Sequence, residues 1–147
     1  IYDENATNAA LSQYEAEKAE IASKEKFETS LFATAMSLYK KELAPLCNEI
    51  IMDVYKESGD IRRLGSAALE LCYLASGKID LYFEMRIFPW DYCGALAILK
   101  EAGGYFSSLE EVSYDCAQPI IAANNKENFE RLYKIVTKHM KEKPYKD

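Results

Sequence analysis

No run of apolar residues in this chain approaches the ~20 that a helix needs to cross a bilayer, and no segment has the basic, apolar and small-residue order of a secretory leader. The expectation is therefore a soluble protein with no membrane partner. Histidine occurs once, at His139, and Cys47, Cys72, Cys93 and Cys116 lie far apart with no Cys-x-x-Cys pair. That excludes the common zinc and dithiol patterns and fits reduced thiols in a cytoplasm. Basic charge is also short: 18 Lys and Arg stand against 24 Asp and Glu, for a net charge of −6. A phosphate-backbone binder needs clustered cations to displace counterions, so nucleic acid is not an expected partner. Internal repeats and low-complexity segments are absent as well.

What is present is enough for one core. At 147 residues and 49% hydrophobic, the chain reads as a single unit over 1–147, with a poorly determined segment at 1–28 and a well-patterned region at 29–140. Within 1–28, Ala, Glu and Lys between Ala16 and Lys26 favour helix, and Ile1-Tyr2-Asp3 reads as a strand running into a turn. Thr29 to Ala35 reads as a buried strand. Leu38, Leu43, Leu46, Ile50, Ile51 and Val54 recur at helical spacing between Ser37 and Lys56, with Pro45 expected to kink or split that helix, and Ser58-Gly59-Asp60 to end it. A second helix, capped by Ser66, is expected over Ala67–Ser76 with a stop at Gly77. Ile79 to Glu84 is the clearest strand, with Glu84 at its far end. A helix opening at Asp91 closes at Gly103-Gly104. Strands follow at Tyr105-Phe106 and Pro119–Ala123, and a last helix is expected to be capped by Asn124 with Glu127 reaching back. Phe129, Leu132, Tyr133, Val136 and Met140 form its apolar stripe. Strands alternating with helices indicate an α/β sheet covered by helices, whose ligand crevice lies at strand ends and helix N-termini.

Three features converge on such a crevice. Asp91 follows Phe88-Pro89-Trp90 and sits in the first turn of a helix, where a carboxylate caps the backbone or holds a hard cation such as magnesium. Gly65-Ser66-Ala67 is a tight turn and cap whose small side chains and helix N-terminus admit a polyol or a phosphate closely. Glu84 is either a solvated strand end or an acceptor for vicinal hydroxyls. Arg62 or Arg63 is a surface charge or a partner that orients Glu84 through an ion pair. Cys93 reads as an inert thiol, and His139 as a favourable charge near a helix C-terminus.

The string Ile61-Arg62-Arg63-Leu64-Gly65-Ser66-Ala67-Ala68-Leu69-Glu70-Leu71-Cys72, then Ala75 to Glu84, Pro89-Trp90-Asp91 and Glu101-Ala102-Gly103-Gly104, resembles the C-terminal half of the inositol monophosphatases. The resemblance extends over about Thr29 to Met140 and includes Ile120-Ile121-Ala122-Ala123-Asn124. It implies the C-terminal part of a layered α/β sandwich, usually dimeric, that hydrolyses phosphate monoesters with magnesium-activated water. It further implies that Asp91 is a magnesium ligand and substrate contact, that Glu84 holds substrate hydroxyls, and that Gly65, Ser66 and Ala67 line the substrate pocket. The implied substrate is a small phosphorylated polyol or sugar, and the implied partner a second copy of the chain.

The sequence also departs from the family. An earlier glutamate and an Asp-Pro-Ile-Asp-Gly-Thr-like motif, which supply the rest of the family's metal core, occur nowhere in it. Ile1-Tyr2-Asp3 resembles the strand after that motif, so the expectation is a chain that starts inside the family's domain and lacks a complete catalytic set. Two alternatives therefore stand beside the phosphatase. One is a truncated or non-catalytic module. The other is a related phosphatase acting on fructose bisphosphate or phosphoadenosine nucleotides.

Overall fold

A computed structural model describes residues 25–37, 39–109 and 111–142, together with Asn5, Asn8, Ala9 and Ser12. The expectations for the segment before residue 25, and for Leu38, lie outside the described residues. Five strands form one mixed sheet: β1 (Leu31–Ala35), β2 (Asp60–Arg62), β3 (Leu81–Ile87), β4 (Tyr105–Ser107) and β5 (Gln118–Ala123). Their spatial order is β2-β1-β3-β5-β4. β1 runs parallel to both β2 and β3, whereas β5 is antiparallel to β3 and to β4. The expected α/β class is thus observed. Among the described residues, four helices with defined bounds cover the sheet: α1 (Ala44–Glu57), α2 (Ala67–Ala75), α3 (Pro89–Glu101) and α4 (Lys126–Glu142).

Strand alternation sorts side chains to the two faces. Leu81, Phe83, Met85, Ile121 and Ala123 pack with Ile50 and Val54 of α1 and Leu132 and Val136 of α4. Tyr82, Ile87, Ile120 and Ala122 pack with Leu71 and Leu74 of α2 and Leu96 and Leu99 of α3. The result is three layers, with β3 and β5 buried on both sides.

Several boundaries differ from the sequence reading, each for a local reason. Pro45 does not kink α1; it occupies the second helical position after a 3₁₀ turn at Lys41–Leu43, where its missing N–H costs nothing. β2 was not expected, because three residues with charge at both ends carry no alternating pattern. Its pairing with β1 is what makes it a strand. β1 is shorter than Thr29–Ala35, since Phe27–Thr29 form a 3₁₀ turn. The cap of α4 is Asn125, not Asn124: its Oδ1 accepts the Asn128 N–H at 2.9 Å. Asn124 is buried, and its side chain donates to Asp80 at 3.1 Å. His139 does more than sit near a helix end. Its Nε2 lies 2.8 Å from Asp53 Oδ2 and its Nδ1 3.7 Å from Glu49, so it links α4 to α1. Contact with His139, aided by Lys56, holds the Asp53 carboxyl below its usual range. Ser66 caps α2 as expected, accepting the Leu69 N–H at 3.4 Å.

Candidate functional site

The N-termini of α2 and α3 and the middle of β3 meet at one pocket of about 280 Å³. Gly65, Ser66, Ala67, Glu84 and Asp91 all line it, so the residues singled out from sequence come together in space. Arg63, Arg86, Tyr39 and Phe88 line it too.

Each wall has a local cause. Gly65 has φ of 82°, in the left-handed region where L side chains are strained, and this turns the chain sharply into α2. Pro89 opens α3 with a fixed φ, which leaves Asp91 at the third helical position. From there Asp91 Oδ2 accepts the Phe88 N–H at 3.3 Å. Asp91 is therefore a cap of the backward-reaching kind, and Oδ1 makes no hydrogen bond among the described residues. Capping and ligand binding are not exclusive here, because one oxygen suffices for each.

Glu84 is not at the end of its strand, since β3 continues to Ile87. It is instead the last residue in regular register with both neighbours, opposite Ala35 on β1 and Ile120 on β5. The register shifts between Glu84 and Ile87, an irregularity of the kind that re-aims side chains. Burial, then the neighbouring Glu70 carboxyl, pushes Glu84 up from 4.5 to about 7, with Asp91 adding and Tyr82 and Arg63 opposing.

Glu70 is not among the residues singled out from sequence, although it is the single charged residue of the otherwise apolar helix Ala67–Ala75. It is wholly buried. Its Oε1 accepts the Leu64 N–H at 2.6 Å and the Gly65 N–H at 3.3 Å, fixing the turn that presents Ser66 and Ala67. Its Oε2 is buried without a well-formed hydrogen bond, and burial raises its pKa as well. Two carboxyls held above their ordinary range thus lie behind one pocket wall, a pattern common at functional sites.

Glu84 gives a pH prediction. A carboxyl whose folded pKa is raised favours folding below its unfolded pKa, and that contribution is lost as pH rises through the folded value. Stability should therefore fall between about pH 4.5 and about pH 7. At about 1.4 kcal/mol per pKa unit, reduced by solvent in an open pocket, Glu84 accounts for about 2 kcal/mol of the fall. Urea unfolding of Glu84→Gln at both ends of the range should show a slope flatter by that amount; an unchanged slope contradicts the assignment.

The arginines divide differently from expectation. Arg62 pairs with Asp60 at 2.5 Å on the exposed edge strand and takes no part in the pocket. Arg63 lines the pocket and acts on Glu84 and Glu70 through charge, without an ion pair to either. Arg86 lies over the Phe88 ring, 4.8 Å from its centroid, and Trp90 stacks on the same ring at 4.7 Å and 6°.

Magnesium keeps several waters and takes one or two carboxylates, with phosphate oxygens completing its shell. Asp91, with one oxygen uncommitted, fits as one such carboxylate. Among the described residues no group of three or more His, Cys, Asp or Glu side chains gathers to hold a metal. Nor is any helix among them long and apolar enough to cross a membrane.

The family model described as the inositol monophosphatase family matches residues 5–141. The chain belongs to that family, a family of phosphatase-type hydrolases. It is 37% identical over 116 residues to the Nus factor SuhB of Haemophilus influenzae, covering 78% of this chain and 43% of that protein. It is 40% identical over 74 residues to the Nus factor SuhB of Vibrio cholerae, covering 50% and 28%. Among solved structures, the inositol monophosphatase of Anabaena superposes with a TM-score of 0.69 at 27% identity, over 79% of this chain and 46% of that one. The extragenic suppressor protein suhB of Bartonella henselae gives 0.70 at 26%, over 80% and 45%. The chain spans less than half the length of each of these relatives.

Proposed function

We propose that this chain forms one side of a magnesium-dependent phosphate monoesterase site for small phosphorylated polyols or sugars. The observation that carries the reading is the convergence of Gly65, Ser66, Ala67, Glu84 and Asp91 on one pocket. Asp91 would be one ligand of magnesium, which when bound lowers the pKa of water and neutralises phosphate charge. Glu84, near neutrality in its titration, accepts from or donates to a pair of substrate hydroxyls at physiological pH. Gly65, Ser66 and Ala67 present no side chain larger than that of Ser66 to the pocket, and they let the substrate approach a helix N-terminus whose dipole favours negative charge. Glu70 holds that turn in place from behind.

The test is phosphate release from an inositol monophosphate with and without magnesium, for the chain alone and mixed with the N-terminal half of a family member. Magnesium-dependent release is expected in the mixture, and none from the chain by itself. Absence of release from any inositol or sugar phosphate in the mixture refutes the reading. A second reading, a ligand-binding module without turnover, is favoured by the lack of a three-ligand group among the described residues. Calorimetry separates the two, because the module takes up no magnesium tightly even in the mixture. We also infer a homodimer. The exposed Leu69 and Ile98 and the apolar depression formed by Cys72, Ala75, Ala97 and Ala102 support it, and sedimentation velocity measures it.

A further inference from the structure

We propose that Glu70 is a positioning residue for Glu84: the two carboxyls share one proton behind the pocket wall, Tyr82 donates to the same cluster, and Glu84 is left with only acceptor positions facing the pocket. The inference rests on the reading of the pocket as a polyol phosphate site and deepens it by assigning the donor, which is the substrate's hydroxyl.

Two buried polar atoms beside Glu84 have no well-formed partner, Glu70 Oε2 and the Tyr82 hydroxyl. Both residues are wholly buried. Tyr82 and Glu84 stand two positions apart on β3 and so share a face, the one on which Leu71 and Leu74 of α2 pack. Glu70 reaches that face from α2. Its Oε2 and the Tyr82 hydroxyl each come within hydrogen-bonding reach of the Glu84 carboxyl. Buried polar atoms left without partners are unfavourable, and one proton satisfies both of these. Glu70 Oε1 already accepts the Leu64 and Gly65 N–H groups, so Oε2 is the oxygen that meets Glu84. Two carboxyls side by side in a protein interior do not both ionise readily, and the proton therefore stays between Glu70 Oε2 and one oxygen of Glu84. The Tyr82 hydroxyl then donates to Glu84. Among the described residues, the titratable and charged groups facing Glu84 are Glu70 from α2, Asp91 from α3, Cys47 from α1, Arg63 from the turn, and Tyr82 on its own strand. Whichever carboxyl carries the proton, it lies on the inner edge. Glu84 thus turns lone pairs alone toward the pocket, and these suit a hydroxyl that donates.

Carbon-13 NMR of the side-chain carboxyls tests the shared proton on the chain itself, without substrate. Glu70 and Glu84 should titrate together, each curve showing the same two steps. Two independent single-step curves overturn the proposal. Glu70→Gln keeps an oxygen for Leu64 and Gly65 but removes the neighbouring charge, so Glu84 should titrate in one step, about one pH unit or more lower than in the unaltered chain. An unchanged Glu84 curve would mean that Glu70 serves the turn alone, and it overturns the proposal too; should the variant not fold, the curves of the unaltered chain decide. Phosphate release in the mixture with the N-terminal half tests the outward edge. Fluorine accepts weakly and cannot donate. Replacing the ring hydroxyls of an inositol monophosphate by fluorine one at a time should raise KM about tenfold or more for at least one analogue, with kcat little changed, as expected for one lost charge-assisted contact. Analogues that all match the parent overturn the proposal while leaving the polyol phosphate reading intact. No release from the parent removes that reading, and the carboxyl titrations then decide the shared proton separately.

Discussion

Asp91→Asn should lower magnesium-dependent phosphate release by about a thousandfold while leaving the fold nearly as stable as before. The two effects separate because the carboxylate's two oxygens have different duties. Oδ2 accepts a single backbone N–H, from Phe88, at the long distance of 3.3 Å. The asparagine carbonyl can replace it there, so the structural loss is confined to the interaction of a negative charge with the α3 N-terminus, about 0.5 kcal/mol at an open site. Oδ1 faces the functional duty. A neutral amide oxygen binds a hard dication far more weakly than a carboxylate does, so the half-saturating magnesium concentration should rise along with the loss of turnover. Phosphate release in the mixed system and a urea titration of the chain together check the prediction. Retained activity would make Asp91 a cap and nothing else; loss of folding would make its capping bond far stronger than its geometry allows.

Asp80→Ala should cost about 3 kcal/mol of stability, for a reason the sequence hides. In sequence Asp80 reads as the polar entry to a strand. In the fold it is only 7% exposed and ties three chain segments together. Its Oδ2 accepts the Leu31 N–H at 2.8 Å, and its Oδ1 accepts from the Asn124 amide at 3.1 Å. The backbone of Asp80 donates to the Leu31 carbonyl and accepts from the Asn124 N–H, both at 3.0 Å. Asn124 accepts in turn from Asn128, whose amide also reaches Ser30 Oγ and the Glu25 carbonyl. Truncation to alanine strands two donors in the interior, and stranded donors cost more than the bonds they made were worth. Asp80→Asn, which retains one acceptor oxygen, should lose less. Urea midpoints at constant m-value measure both; a loss below about 1 kcal/mol for alanine would show that the network redistributes around the gap.

Both residues illustrate what can be read before a structure exists. The α2 and α3 helices were legible because each carries its own punctuation, Ser66 before one and Pro89 before the other, with glycines after both. The site residues were legible because they lie on that punctuation. Glu84 was legible as a candidate for the pocket it lines, but its place in the strand was not: the end of its regular pairing is set by the partners Ala35 and Ile120, which sequence does not reveal. β2 and the Asn125 cap were missed for the same kind of reason, since a neighbouring strand and the burial of Asn124 against Asp80 decide them. Arg63, Arg86 and Glu70 enter the site only through the packing of α2 against β3. A polar residue inside an apolar helix, as Glu70 is within Ala67–Ala75, is the one signal that pointed inward.

The strand order also bears on how the chain reaches this state. Only β4 and β5 pair across a short connection, residues 108–117, which Tyr92 clasps through the Ser113 and Cys116 carbonyls. Every other pairing in the described sheet spans at least one helix, and β3 must receive β1 on one side and β5 on the other. Closing such loops costs entropy before any contact repays it, so the local β4–β5 ladder should assemble at low cost and the placement of β1 against β3 should limit the rate. Glu84 would acquire its neighbours in that step, so the pocket is expected to be among the last parts of the molecule to form.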